Sequence, residues 1–171
     1  LDDSLIEQLC SNAAEDEIVS AANYNSPGQV VVSGHKNAVN RMINLAKNAG
    51  ARRAILLPVS VPSHCALMKD TANKFSKLLD KITFNNAQIP ILQNVDPKLK
   101  TNAADIKTAL IKQLYEPVRW VDTINEIHRI GVTKIIECGP SNVLSGLIKR
   151  IEKSFELFSI SDKPSLDKTL I

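Results

Sequence analysis

The spacing of apolar residues between Leu5 and Val61 switches period three times, and this switching constrains the fold more than any other feature. Leu5, Ile6, Leu9 and Cys10 recur at helical spacing. Residues 18–24 and 29–33 read as strands on either side of the turn Asn25-Ser26-Pro27-Gly28. Residues 36–49 then carry Val39, Met42, Ile43 and Ala46 on one helical stripe, and Gly50 sits where a helix normally stops. Residues 53–61 read as a strand punctuated by Pro58. Helix, strand, strand, helix, strand is the order of a β-α-β-β-α-β layer without its first strand. Residues 1–60 are therefore expected to form an incomplete ferredoxin-like small subdomain, with Leu1 an artificial beginning.

Beyond Ser63 the pattern lengthens. Met68, Ala72, Phe75, Leu79 and Ile82 step by four and three residues, while Lys69, Lys74, Lys77 and Lys81 fall off that stripe. Residues 89–94 read as a short buried strand. Asn102 is a suitable cap for a helix reaching Tyr115, and a second helix is expected over 120–130 with Pro117 in its first turn. Residues 132–138 form a predicted strand, Gly139-Pro140 a turn, and 142–151 another helix. Alternating strands and helices predict a mostly parallel α/β sheet for residues 61–171.

At 171 residues and 44% hydrophobic, the chain can bury an ordinary core. No run approaches eighteen apolar residues and no basic-then-apolar leader opens the sequence, so neither a membrane span nor a retained signal peptide is expected. Cys10, Cys65 and Cys138 share no metal-ligand spacing, and an odd number without a framework suits reduced thiols in a cytoplasmic protein. The three histidines form no paired zinc signature, so no metal is expected. Six acidic side chains and no Lys or Arg fall within residues 1–17, leaving 21 basic against 12 acidic residues in the rest. Such a body suits an acidic partner or a solvated lysine-rich surface. Few aromatics and no ring-interleaved basic run argue against nucleic acid.

His64 is the leading candidate for chemistry. It follows Ser63, a suitable N-cap, so the sequence places it in a helix's first turn, where the dipole keeps an imidazole neutral. A neutral ring with a free nitrogen can take a proton from a hydroxyl. A capping or packing histidine is the plainer reading of the local sequence. Cys65 is adjacent but would point about 100° away on a helix, so it reads as a small buried side chain. His35 and His128 read as capping or surface residues. Gln113 falls on the apolar stripe of its predicted helix after Ile106 and Leu110, and a buried amide needs partners. Asn23 and Asn25 share one face of a strand, suited to a polar ligand or to shaping a turn. The backbone N–H groups after Gly139-Pro140 form a candidate anion site.

Taken together, "NYNSPGQVVVSGHKNAV", "LPVSVPSHCALM", "ILQNVD", "QLYEPVRW" and "ECGPSNVLSGLIKRI" resemble the C-terminal half of the bacterial malonyl-CoA:acyl carrier protein transacylases. The resemblance covers residues 1 to about 151. It implies an acyltransferase of fatty acid synthesis in which an activated serine accepts malonyl from malonyl-CoA and passes it to the phosphopantetheine thiol of acyl carrier protein. It implies that His64 is the general base, that a backbone carbonyl of Gln113 orients the ring, and that Asn23 and Asn25 line the acyl and pantetheine channel. Coenzyme A enters as a thioester substrate, and no resident cofactor is implied. Residues 61–171 would then be the C-terminal part of an α/β-hydrolase-like acyltransferase core.

No GxSxG occurs in the sequence, and Gly139-Pro140-Ser141-Asn142-Val143 lacks the second glycine of such an elbow. The resemblance assigns the serine, the oxyanion donor and the carboxylate-binding arginine to the N-terminal half of the enzyme. That half becomes an expected partner, and the segment alone is expected to be inactive. Two other readings stay open: a non-catalytic module that binds acyl carrier protein, and a transferase for another acyl-CoA.

Overall fold

The computed structural model describes residues 1–169. Helix α1 (Asp3–Ala14) starts because the Asp2 carboxylate accepts the Leu5 N–H at 2.7 Å. It ends in a tight turn, Glu17 N–H to Ala14 C=O at 2.7 Å, whose first central residue is Glu15 at φ 49°, ψ −116°. That is the type II′ position normally given to glycine. Arg41 closes the same corner by donating to the Ala13 and Ala14 carbonyls at 2.8 and 3.0 Å and pairing with Glu17 at 2.9 Å.

Strands β1 (Val19–Ser26) and β2 (Gln29–Gly34) form the expected antiparallel hairpin, and helix α2 (Lys36–Asn48) follows. The turn lies one residue later than the sequence suggests, with Ser26 facing Gln29 and Gly28 at φ 75°. Gly34 has a second reason to be glycine: a Cβ there would lie 2.1 Å from the Ile18 carbonyl oxygen. Leu9, Cys10, Ala13, Val19, Ala38, Met42 and Ala46 form the core between α1, α2 and this hairpin.

Residues 53–61 depart from expectation. They run extended but pair with no described strand, and Ile55, Leu56, Leu57, Val59 and Val61 are all exposed, Val59 at 73%. A strand exists only through a neighbour's hydrogen bonds. Lacking one, the segment bonds back on itself, Val59 N–H to Leu57 C=O and Ser63 N–H to Val61 C=O, both at 2.9 Å.

A short 3₁₀ turn (Ala66–Met68) leads into α3 (Lys69–Leu79), which buries Ala72 and Leu79 but leaves Ile82 beyond its end and exposed. The expected buried strand over 89–94 is instead the exposed β3 (Ile91–Gln93), antiparallel to β4 (Asp96–Lys100), and only Gln93 is buried in it. A two-residue connection permits only an antiparallel pair. The sequence hid β4 because Pro97 and two lysines read as loop. Helices α4 (Ala103–Lys112) and α5 (Trp120–Arg129) follow, with Pro117 before α5 rather than in its first turn.

Strand β5 (Lys134–Cys138), helix α6 (Val143–Ile151) and strand β6 (Glu156–Ile160) make a βαβ unit, and α7 (Lys163–Thr169) closes the described chain. β6 and α7 lie beyond the elements the sequence marked. β5 and β6 are the parallel pair; the described strands form three separate two-stranded sheets rather than one mostly parallel sheet. Ile124, Ile148 and Phe155 form the second core, between α5, α6 and this unit.

The candidate anion site after Gly139-Pro140 is already taken. Glu137 accepts from Leu144 N–H at 3.0 Å, Ser145 N–H at 2.7 Å and the Ser145 hydroxyl at 2.7 Å, so the chain's own carboxylate sits at the α6 N-terminus. Burial pushes its carboxyl up, but the Ser145 hydroxyl and the two N–H groups outweigh burial and hold it below the usual range.

A carboxylate depressed in the folded state contributes stability above its unfolded pKa and loses it as pH falls through the folded value. Glu137→Gln should therefore cost about 1 kcal/mol at neutral pH and progressively less in acid. Chemical denaturation at pH 7 and pH 3 checks this; an equal penalty at both would remove the charge from the argument. Glu15→Gly should raise stability by about 1 kcal/mol by relieving the turn. The Glu15 pair with Arg41 at 3.4 Å is exposed and loses little. A melting temperature that does not rise would show that the turn stores no strain.

Candidate active site

His64 does not start a helix. Its backbone is left-handed, φ 62°, a conformation no helical residue has, and α3 begins only at Lys69. The dipole argument for a neutral ring therefore does not apply. Cys65, 1% exposed with its thiol donating to the Pro62 carbonyl at 3.3 Å, anchors the bend as a small buried side chain.

The end of α4 supplies what the dipole does not. Asn102 caps this helix by accepting from Ala104 N–H at 2.8 Å and Asp105 N–H at 3.3 Å, and Ile106 and Ala109 bury its inner face. At its other end, carbonyls are left without helical donors. Two successive ones meet His64. Leu114 C=O accepts the His64 backbone N–H at 3.0 Å, and Gln113 C=O lies 2.7 Å from Nδ1. A carbonyl only accepts, so Nδ1 carries the hydrogen and Nε2 presents a lone pair. Among the described residues, no group takes up Nε2.

His64 lines a wide open cleft together with Asn23, Asn25, the β2 edge and the extended run 54–61. Its charged lining residues are Lys36, Arg52, Arg53 and Arg150, with no Asp or Glu. Asn23 reaches the cleft because β1 is irregular: the register slips between Ala21 and Asn23 and again between Tyr24 and Ser26. There Val118 bridges to β1, with Tyr24 N–H donating to Val118 C=O at 2.9 Å and Val118 N–H to Ala22 C=O at 2.8 Å. Arg150 of α6 donates to the Gln29 side-chain carbonyl at 2.8 Å. These contacts join the hairpin to the rest of the chain.

Thus His64, Gln113, Asn23 and Asn25 converge, the first two by direct contact and the asparagines across the cleft. Gln113 is half-buried, and it reaches His64 through its backbone; its side-chain oxygen instead faces Asn94 Nδ2 at 3.5 Å. His35 stands at the N-cap position of α2 without a side-chain cap bond; its Nδ1 instead accepts the Ile18 N–H at 2.9 Å. His128 is in the last turn of α5, 3.4 Å from Glu152. Sequence reasoning gave no role to Gln93 and Asn94, though both lie in the motif "ILQNVD" that carried part of the resemblance. Among the described residues, no group of three or more His, Cys, Asp or Glu is placed to hold a metal, and no helix is long and apolar enough to cross a membrane.

No protein-family model matches the chain. Curated relatives do. Malonyl CoA-acyl carrier protein transacylase of Salmonella typhimurium is 48% identical over 170 residues, 99% of this chain and 55% of the relative. The enzyme of the same name from Bacillus subtilis is 40% identical over 168 residues, 98% of this chain and 53% of the relative. A solved acyl carrier protein S-malonyltransferase from Vibrio cholerae superposes with a TM-score of 0.96 at 51% identity, across 99% of this chain and 55% of that one. A malonyl-transacylase solved with a type II polyketide-synthase acyl carrier protein gives a TM-score of 0.96 at 46% identity, across 99% of this chain and 55% of that one. The chain spans about half the length of the curated relatives it matches. In sequence and in fold, this chain is homologous over 99% of its length to malonyl CoA-acyl carrier protein transacylases.

Proposed function

We propose that this chain supplies the base-bearing part of an enzyme that moves malonyl from malonyl-CoA to the phosphopantetheine thiol of acyl carrier protein. The observation that carries this reading is the 2.7 Å contact between His64 Nδ1 and the Gln113 carbonyl, which leaves Nε2 basic in an open cleft. Nε2 takes the proton of a serine hydroxyl as its oxygen attacks the thioester carbonyl, then gives that proton to the departing CoA thiolate. In the second half-reaction it takes the proton of the phosphopantetheine thiol and returns it to the serine oxygen as the thioester forms. The Gln113 carbonyl stabilises the intervening imidazolium, the role a carboxylate plays in other triads. Asn23 and Asn25 offer amide contacts to the acyl and pantetheine chain.

The serine belongs to a GxSxG elbow that this sequence does not contain. Residues 1–60 are read as a ferredoxin-like subdomain whose remaining strand lies between β2 and the extended run 54–61. Because α2 connects those two segments as a crossover, they run in the same direction, and an intervening strand antiparallel to both completes a split βαβ layer. Exposure of Ile55, Leu57, Val59 and Val61 supports this. Residues 61–171 are read as the C-terminal part of an α/β-hydrolase-like core. The basic, acid-free rim of the cleft suits acyl carrier protein as an acidic partner.

The chain alone should not transfer malonyl from malonyl-CoA to holo-acyl carrier protein. Adding a polypeptide spanning the part of the Salmonella relative outside the match should restore transfer, and His64→Ala should then slow it ~10²- to 10⁴-fold. Transfer by the chain alone, or equal rates for variant and parent, would overturn the reading. Carrier-protein binding without activity after complementation would favour a binding module. The same assay with methylmalonyl-CoA and longer acyl-CoAs reads the acyl preference. Affinity of the complemented pair for carrier protein should also fall as salt rises, because exposed charge pairs are screened beyond about 8–10 Å; a flat response would make the lysines merely solvated.

A further inference from the structure

His64 takes its position from two carbonyls at the end of α4, so whatever fixes that end also fixes the ring. The last residue of β3 and the first residue of the turn after it hold α4 at its two ends with consecutive side chains. Gln93, 7% exposed, reaches into α4 and donates Nε2–H to the Ile106 carbonyl at 3.1 Å. Asn94 directs its Nδ2 toward the Gln113 side-chain oxygen at 3.5 Å, and its own carbonyl accepts the Arg119 N–H at 2.7 Å. The first grips α4 near its start, at Ile106, and so fixes the helix that carries the Gln113 end. The second meets the side chain of the residue whose backbone carbonyl holds Nδ1, and ties it to the segment leading into α5. We infer that Gln93 and Asn94 are positioning residues that set the tautomer and orientation of His64 through α4.

A stabilising role would predict otherwise. Gln93 leaves its own side-chain oxygen buried without a partner. Such an amide is costly to keep, and a leucine of similar size would remove that cost. Ile106 C=O lies within α4, where Leu110 N–H is its ordinary i+4 donor, so it does not need Gln93. Gln93 is thus poorly explained by stability and well explained by the need for a directional contact where a greasy one would let the helix end slide.

The test uses the 171-residue chain itself and needs no activity, so its failure is separable from failure of the proposed reaction. Imidazole ¹⁵N shifts at alkaline pH report each ring's tautomer. In the parent, His64 should be Nδ1–H, and His35, whose Nδ1 accepts from Ile18, should be Nε2–H. In Gln93→Leu and in Asn94→Ala, the Nδ1–H to Nε2–H ratio of His64 should fall about fivefold. His35 and His128 should stay put, and the melting temperature of Gln93→Leu should not fall. A fall in either variant with those controls unmoved supports the inference. A His64 ratio unchanged in both, or one that falls only together with the signals of His35 and His128, overturns it.

Discussion

The arrangement depends on one helix terminus. An α-helix leaves its last carbonyls unpaired, and the turn that closes α4 directs the carbonyls of Gln113 and Leu114 at a single residue. One holds the His64 backbone and the other its ring. Two contacts 49 and 50 residues away along the chain fix a left-handed backbone that local sequence would not choose. The same contacts decide which ring nitrogen carries the hydrogen. A neutral carbonyl is enough for that purpose: it selects the tautomer and stabilises positive charge without placing a second titrating group beside the ring.

For the site to exist, the hairpin must also meet the helical part of the chain. Val118 crosses β1 where its register slips, so an irregularity in the ladder becomes the junction. β1 pairs with β2 along one edge only, so Ala22 C=O and Tyr24 N–H on its other edge are free to take Val118. Bulges re-aim side chains and interrupt pairing; here they turn Asn23 and Asn25 toward the cleft that His64 lines.

Large apolar side chains are exposed in several places, among them the run 55–61 and, on β5 and the start of α6, Ile136, Val143 and Leu144. Contiguous apolar exposure on this scale marks surfaces that meet other polypeptide. Both lie on structure whose hydrogen bonding is incomplete, one an unpaired extended segment and the other next to a two-stranded parallel sheet. Parallel sheets are normally covered on both faces.

Sequence alone determined the local elements whose causes are local. The α1, α2 and α4 stripes, the Asn102 cap and the Pro27-Gly28 hairpin were legible because periodicity and turn chemistry act within a few residues. Local sequence marked His64 as a candidate base or a capping residue and Gln113 as a polar residue on an apolar stripe; their particular roles came only from resemblance to a family. Tertiary structure decided the rest. Residues 53–61 have strand composition but no strand, because pairing needs a neighbour. The anion site after Gly139 was filled by Glu137, and Gln113 meets His64 through its backbone carbonyl, an atom every residue possesses. Which carbonyl meets which ring depends on how a helix end, a turn and a bulged strand pack together, and no short window of residues contains that information.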